Sequence, residues 1–415
     1  MVKSGYKDTA IGYIPEHWDV VKIGDFTDVF SGGTPDTSVK EFWNGEIPWM
    51  NSGDLNKKFI TSVDGRITER GMASSSTHMI PENCVLIGLA GQGKTRGTAA
   101  INYIPLCTNQ STAAIYPSQL FEPLFLMYVM ESKYYQLREM SSGEGVRGGL
   151  TKALIKSVYV QLPPKKEQVK IAEAIHDVDE LIISLQEIIQ KKKDLMKACI
   201  DQLYPRNSES MPRCRISCDH PEWKKCKLGE IAVKVDRKAD EESVAPIMMI
   251  SASSGFIDQT EKYSVFHAGS SLKNYTLLQK GELAYNHGFS KLRNFGSCFD
   301  LRISEARIPF VYHTFSLPQD DSRFYAYYLN SGVFDNELRK LITSTARMDG
   351  LLNISFDSYM SMDVMRPCLQ EQIEIGGFLE EIEHLIDVYE QKLAKAQNIK
   401  QGMMEELLTG KVRLS

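Results

Sequence analysis

The 415 residues predict an α+β (mixed α/β) chain that is written twice. Two similar globular domains, 1–162 and 205–366, are separated by two long helices, 163–204 and 367–415. The helices are expected to pack as an antiparallel coiled coil, giving an internal pseudo-twofold repeat. Three observations predict this: an opening that recurs, a helix start that recurs, and two heptad seams.

The opening comes first. Pro15-Glu16-His17-Trp18 is followed by Lys22-Ile23-Gly24. Some 205 residues later, Pro221-Glu222-Trp223 is followed by Lys227-Leu228-Gly229, with Trp, Lys and Gly at the same mutual spacing. The helix start is the second. Pro163 with Glu167-Gln168 and Ile171 matches Pro367 with Glu371-Gln372 and Ile375, an offset of 204. Gly149-Leu150 likewise matches Gly350-Leu351. The period far exceeds the roughly 20–50 residues of solenoids, so the unit duplicated is a domain plus a helix.

The seams are the third. Ile171, Ile175, Val178, Ile182, Leu185, Ile189, Met196, Cys199 and Leu203 step by four and three, with Lys192 at the one missing position. The second series is Ile375, Leu379, Ile382, Ile386, Tyr389, Leu393, Ala396, Met403 and Leu407, interrupted by Lys400. A period of about 3.5 residues over about five heptads is the coiled-coil signature. Prolines 163, 164 and 367 mark the starts; Pro205 and Gly410 mark the ends. The alternative, two amphipathic helices each packed on its own domain, suits so long and narrow a seam less well.

Within the globular segments, Cys84–Ile87 and Ile308–Tyr312 read as strands bounded by turn residues. One amphipathic helix is expected at about Pro123–Met140 and one at about Arg323–Ile342. Each precedes a loop with arginine and glycine, 143–149 and 344–350.

Composition limits the function. Lys and Arg total 48 against 53 Asp and Glu, a net charge of −5, which excludes coating nucleic acid by bulk charge but not a local basic surface. Residues 369–415 carry nine acidic and five basic side chains, whereas 205–368 carry 20 and 21. The surplus acid therefore sits on the last helical region, leaving the globular parts free to meet an anion. No run of about 18 apolar residues occurs, so no membrane span is expected. The opening Met1–Asp8 has no apolar core and reads as no signal peptide. Eight scattered cysteines suit a reducing cytoplasm. Cys214, Cys218, His220 and Cys226 could supply four zinc ligands; their irregular spacing in a linker-like stretch favours free thiols.

Gly88-Leu89-Ala90-Gly91-Gln92-Gly93-Lys94-Thr95 satisfies the phosphate-loop pattern G-x-x-x-x-G-K-[ST]. The next stretch, Arg96–Pro105, is short, β-branched and stopped by proline, a poor helix for a phosphate-binding N-terminus. A glycine-rich hairpin presenting Lys94 and Arg96 to another polyanion fits better. No amino-methyltransferase loop (Asn/Asp-Pro-Pro-Tyr/Phe), G-x-S-x-G or H-E-x-x-H is present. Pro35-Asp36 lacks the Glu-x-Lys or Asp-x-Lys of a nuclease site. The reading is therefore a binding protein that is not an enzyme itself and needs no cofactor or metal.

These features together resemble the specificity subunit of a type I restriction–modification enzyme. Ser31-Gly32-Gly33-Thr34-Pro35, Ile47-Pro48-Trp49, Thr108-Asn109-Gln110-Ser111 and Glu406–Lys411 add to the likeness, which covers essentially the whole chain. The second copy departs at Arg366-Pro367-Cys368, where the double proline is missing. The resemblance implies a non-catalytic, cytoplasmic subunit that reads double-stranded DNA. Its target-recognition domains, 1–162 and 205–366, would each read half of a bipartite, asymmetric site. Its helices would dock two modification (methyltransferase) subunits, to which restriction subunits (endonuclease and translocase) are added. Chemistry nominates the readers: Lys94, Arg96, Arg147, Lys291, Arg293 and Arg347 suit guanine O6/N7, and Gln92 and Asn286 suit adenine. Trp18, Trp49 and Trp223 read as core anchors. Two other functions remain: a solitary DNA-binding coiled-coil regulator, which would hold DNA without a methyltransferase, and a P-loop NTPase, which would bind ATP.

Overall fold

The computed structural model describes residues 5–91, 93–141, 149–206, 209–217, 219–239, 243–259, 274–288, 290, 293–342 and 352–414. The chain forms two compact units. One comprises Met1–Leu185 and Lys392–Ser415; the other comprises Gln186–Gln391. Both are mixed α+β.

The first unit is organised by a five-stranded sheet in the order Val29–Ser31, Thr112–Ile115, Val85–Gly88, Ala99–Asn102, Phe59–Ile60. Its central strands are buried along their whole length because both faces are covered. Side chains alternate across a strand, so Val85 and Ile87 enter the core built on Trp18, Phe121 and Phe125. Leu86 enters a second core with Met50, Leu55 and Ile60. The second unit repeats the device. Its sheet runs Val233–Lys234, His313–Ser316, Leu283–Asn286, Ser297–Asp300. Leu283 and Tyr285 face one core, and Ala284 the other.

The recurring sequence letters form the same joint twice. Asp19–Lys22 pairs antiparallel with Tyr159–Leu162, and Lys224–Lys227 with Asp363–Arg366. Gly24 lies where a Cβ would stand 2.9 Å from Lys156 Cβ; at Gly229 the neighbour is Met360 Cβ, 3.2 Å away. Trp18 and Trp223 are core residues, as expected, and their indoles donate to Glu167 (3.2 Å) and Glu371 (2.9 Å). Trp49 is only half-buried, packed edge-on against Trp43. Gln168 accepts from the Glu122 amide and donates to the Pro163 carbonyl; Gln372 does the same with Asp321 and Pro367. The shared Glu-Gln pair is thus a structural rivet at each helix start.

The long helices span Lys165–Leu203 and Leu369–Leu407. Their heptad positions are the covered ones. In the first unit Ile171, Ile175, Ile182, Leu185, Ala396 and Leu407 are buried, with Val178 and Leu393 half-buried. In the second, Ile189, Leu203, Ile375, Leu379, Ile382 and Ile386 are buried. Within the first unit Glu167 meets Arg413 and Asp179 meets Lys400. Within the second Lys193 meets Glu390 and Arg215 meets Glu371. Numbers rise on one strand of each ladder as they fall on the other, so the helices run antiparallel. At the seam's ends, Ile171, Ile175 and Leu407 also join the domain core, so packing on the domain and packing on the partner helix both contribute.

Two local expectations are corrected. Of the run Ile308–Tyr312 only Ile308 is strand: the strand is Glu305–Ile308, and Pro309, which has no N–H for a ladder, begins a turn closed by Tyr312 N–H to Pro309 O. Each late helix is two helices. Pro123–Ser132 and Tyr134–Met140 break at Lys133. Ser322–Leu329 and Asp335–Leu341 break around Gly332, whose φ of +82° ends helical geometry.

Candidate nucleic-acid interface

Residues 85–102 form a hairpin. Val85–Gly88 pairs antiparallel with Ala99–Asn102. Two bonds lock its mouth: Gly97 N–H to Gly88 O (2.9 Å) and Gly88 N–H to Thr98 O (3.0 Å). A Cβ at Gly88 would lie 2.1 Å from Thr95 O, so the backbones approach as only glycine permits. The segment after the loop is a strand, not a helix. There is no helix N-terminus to cradle phosphates, and the phosphate-loop match is a coincidence of letters.

The loop is braced from behind. Arg138 donates through Nη1 to Gly93 O (2.8 Å) and Arg96 O (3.2 Å), and Tyr134 Oη donates to Lys94 O (3.1 Å). These bonds fix the backbone of Lys94 and Arg96, the two residues of the loop nominated to meet an anion. Lys94 is exposed and Arg96 half-buried.

Other loops gather at the same end of the sheet. Leu89 N–H donates to Ser111 O (2.8 Å), setting residues 109–111 beside the hairpin's mouth. Gly33 N–H donates to Thr108 O (2.9 Å), adding the Ser31–Pro35 turn. Leu150 N–H donates to Leu89 O (2.9 Å), tying the chain three residues after Arg147 to the base of the loop.

The second unit repeats this end. Leu283–Asn286 pairs with Ser297–Asp300, and Leu352 N–H donates to His287 O (2.9 Å), as Leu150 does to Leu89. The sequence match pairs Leu150 with Leu351, which lies outside the described residues; the tie is made one position later. The brace is reversed here. The hairpin's own Arg293 reaches back through Nη1 to Asn330 O. Asn330 in turn grips Cys298, accepting from its N–H (3.0 Å) and donating to its carbonyl (2.6 Å). Burial pushes the Arg293 guanidinium down from its usual range, with Asp335 opposing. The Asn286 amide is engaged at both ends, donating to Ile250 O (3.3 Å) and accepting from Gly288 N–H (3.0 Å).

Of the nominated readers, Lys94, Arg96, Asn286 and Arg293 lie on these hairpins. Gln92, Arg147, Lys291 and Arg347 lie outside the described residues, as does Cys218. Among the described residues no group of three or more potential ligands could hold a metal. Cys226 sits in a strand, and His220 contacts Glu374 (2.9 Å) and Cys368 (3.6 Å). Sequence reasoning misses Tyr134, Arg138 and Asn330. Each acts across 32 to 45 residues of sequence. Only the Tyr-x-x-x-Arg spacing of Tyr134 and Arg138, which stacks both on one helix face, gives any hint.

Residues 15–194 match the model of the type I restriction modification DNA specificity domain. The MjaIX specificity subunit of Methanocaldococcus jannaschii is 31% identical over 237 residues, 54% of this chain and 54% of that protein. The match therefore spans about half of that relative. The MjaVIII specificity subunit of the same organism is 25% identical over 97% of this chain and 94% of that protein. The crystal structure of the S subunit from M. genitalium superposes with a TM-score of 0.61 at 15% identity, covering 94% of this chain and 96% of that one. In sequence and fold the chain is thus similar to one class, the specificity subunits of type I restriction–modification systems. The match to the DNA specificity domain covers residues 15–194, and the likeness in fold to the M. genitalium S subunit covers 94% of the chain. No described helix is long and apolar enough to cross a membrane.

Proposed function

We propose that the chain reads a bipartite, asymmetric double-stranded DNA site for a type I restriction–modification enzyme and performs no chemistry itself. Residues 1–162 read one half-site and 205–366 the other, while 163–204 and 367–415 are the spacer. The observation that carries this reading is the duplicated sheet end: in each unit a basic hairpin is tied by one backbone bond to the segment that follows an Arg-Gly loop. Two readers on stiff helices impose a fixed interval, so an unread gap separates the half-sites. The hairpins differ in sequence, so the half-sites differ. Lys94, Arg96, Arg147, Lys291 and Arg347 supply contacts to guanine or phosphate and Gln92 contacts to adenine, while Asn286 and Arg293, whose side chains bond within the domain, shape the second hairpin.

The helices dock two methyltransferase subunits, and restriction subunits join that core in the cytoplasm. Support comes from apolar side chains left uncovered at repeat-related positions. Leu181 and Ile399 in the first unit are 51% and 46% exposed. Their counterparts 204 positions away, Leu385 and Leu195 in the second unit, are 39% and 49% exposed. One equivalent patch per unit suits two copies of one partner. A net charge of −5 gives little bulk attraction for DNA, so the partners complete the clamp.

Inserting one heptad after Ile189 and one after Leu393 tests the reading. The methylated site should keep both half-sites and gain a longer gap. An unchanged gap contradicts the spacer.

A further inference from the structure

Beside the hairpin stands a second polar feature that no base-reading role absorbs. Thr34 Oγ1 donates to Gln110 Oε1 at 2.6 Å. The two residues lie on loops fixed to one another. Gly33 N–H bonds Thr108 O at 2.9 Å, and the Trp49 indole donates to Gly33 O at 3.1 Å. A Cβ at Gly32 would fall 1.8 Å from Thr108 O, and one at Gly33 2.3 Å from Ser76 Oγ, so the turn is seated without play. Asn109 Oδ1 accepts from both Ser111 N–H and Thr112 Oγ1, each at 3.1 Å, and shapes the loop that presents Gln110. Gln110 itself is exposed, and among the described residues its Nε2 has no hydrogen-bond partner.

We propose that Gln110 is a sequence-independent phosphodiester contact, held by Thr34, that seats the first hairpin on DNA; this rests on the DNA-reading function above. The chemistry separates it from a base reader. A glutamine reads adenine with both ends of its amide, accepting from N6–H and donating to N7. Here the short bond from Thr34 takes one of the two lone pairs of the oxygen and fixes the direction of the amide, leaving the Nε2 donor facing outward. An amide so fixed is pre-oriented to donate, and the duplex offers an anionic acceptor, one phosphate per roughly 1.7 Å of axis. The neighbouring loop brings the exposed Lys94 to the same end of the sheet, a cation suited to the same backbone.

The test uses the full chain with its methyltransferase subunits, bound to a duplex carrying its site and to single-base variants, at roughly 50 to 200 mM salt. Gln110→Ala should weaken binding roughly 2- to 12-fold, by the same factor on every variant. The salt slope should not change, because a neutral amide displaces no counterion. Gln110→Glu keeps an acceptor for Thr34 but replaces the donor with a negative charge, so it should weaken binding more than alanine does, again uniformly. Loss confined to one base pair makes Gln110 a base reader and overturns the proposal. So does a Gln110→Glu variant that binds like wild type, which would leave only a structural role. A wild-type complex that prefers no DNA site overturns the DNA-reading function itself, and the proposal with it.

Discussion

Arg413 closes on Glu167 with two parallel bonds, Nε to Oε1 at 2.5 Å and Nη2 to Oε2 at 3.0 Å, though 246 positions separate them. The second unit builds the same fork from Arg215 and Glu371, at 2.8 and 2.7 Å. In both units the carboxylate also receives a tryptophan indole. Each arginine follows the long helix other than the one that carries its glutamate. The fork therefore fastens the end of one helix to the start of the other. The two copies differ in burial: Arg215 is 15% exposed on a fully buried Glu371, while Arg413 is 41% exposed.

That difference sets a stability order. Removing one partner of a buried pair strands the other charge, at a cost of about 3–5 kcal/mol. Arg215→Ala should approach this range. Arg413→Ala should cost clearly less, because Arg413 is 41% exposed and its removal opens Glu167 to water. Denaturant unfolding of the full chain, followed by separate probes in each unit, checks the order; an equal or reversed cost contradicts it.

A buried ionic cluster predicts a pH response. Asp179 accepts from Lys58 (2.5 Å), Lys400 (2.9 Å) and Tyr128 Oη (2.8 Å). Burial pushes its carboxyl up, but the two lysines outweigh burial and hold it below the ordinary 3.8. A depressed acid stabilises the fold above its unfolded value, and that stability is lost as pH falls through the folded one. The contribution of Asp179 is thus intact at neutral pH and lost below about pH 3.8. Asp179→Asn should destabilise the first unit by about 3–5 kcal/mol at neutral pH, and the gap to wild type should narrow below pH 3.8. A gap that stays constant with pH contradicts the assignment.

The cluster also shows what the sequence disclosed. Lys400 was legible as a break in the heptad seam, and the structure gives the reason: it bonds Glu131 (2.8 Å) as well as Asp179. The partners were not legible, because Lys58 and Glu131 come from the globular domain with no shared spacing. Periodic features were readable for a physical reason. A heptad or a repeated Trp-x-x-x-Lys-x-Gly is a local record of a surface that must be covered. The fork was half readable: Glu167 and Glu371 recur at a fixed offset, but Arg413 and Arg215 follow their helices at unequal distances. The late helices read as single because their apolar spacing continues through Lys133 and Gly332, where backbone geometry alone makes the break. At the candidate interface the hairpin was predictable from glycines and β-branched residues. The Arg138 and Asn330 braces were not, since they arise only when distant segments meet.

The hairpin reading of residues 88–95 has a direct check. Thr95→Ala should leave ATP use by the assembled enzyme unchanged. Lys94→Ala should weaken DNA binding and reduce the salt slope by about one, as loss of one phosphate contact does. Lost ATP hydrolysis with DNA binding intact contradicts it.

The proposed function requires two independent readers on one chain. Binding of the methyltransferase complex to a panel of single-base variants of its site tests this most directly. The Arg96→Ala and Arg147→Ala variants should alter preference in one half-site only, and Lys291→Ala and Arg347→Ala in the other. A lost bidentate arginine–guanine pair is worth roughly 1–3 kcal/mol, a change of about 5- to 150-fold at one base pair. If any one of these variants alters base preference equally in both half-sites, the two-reader account is contradicted.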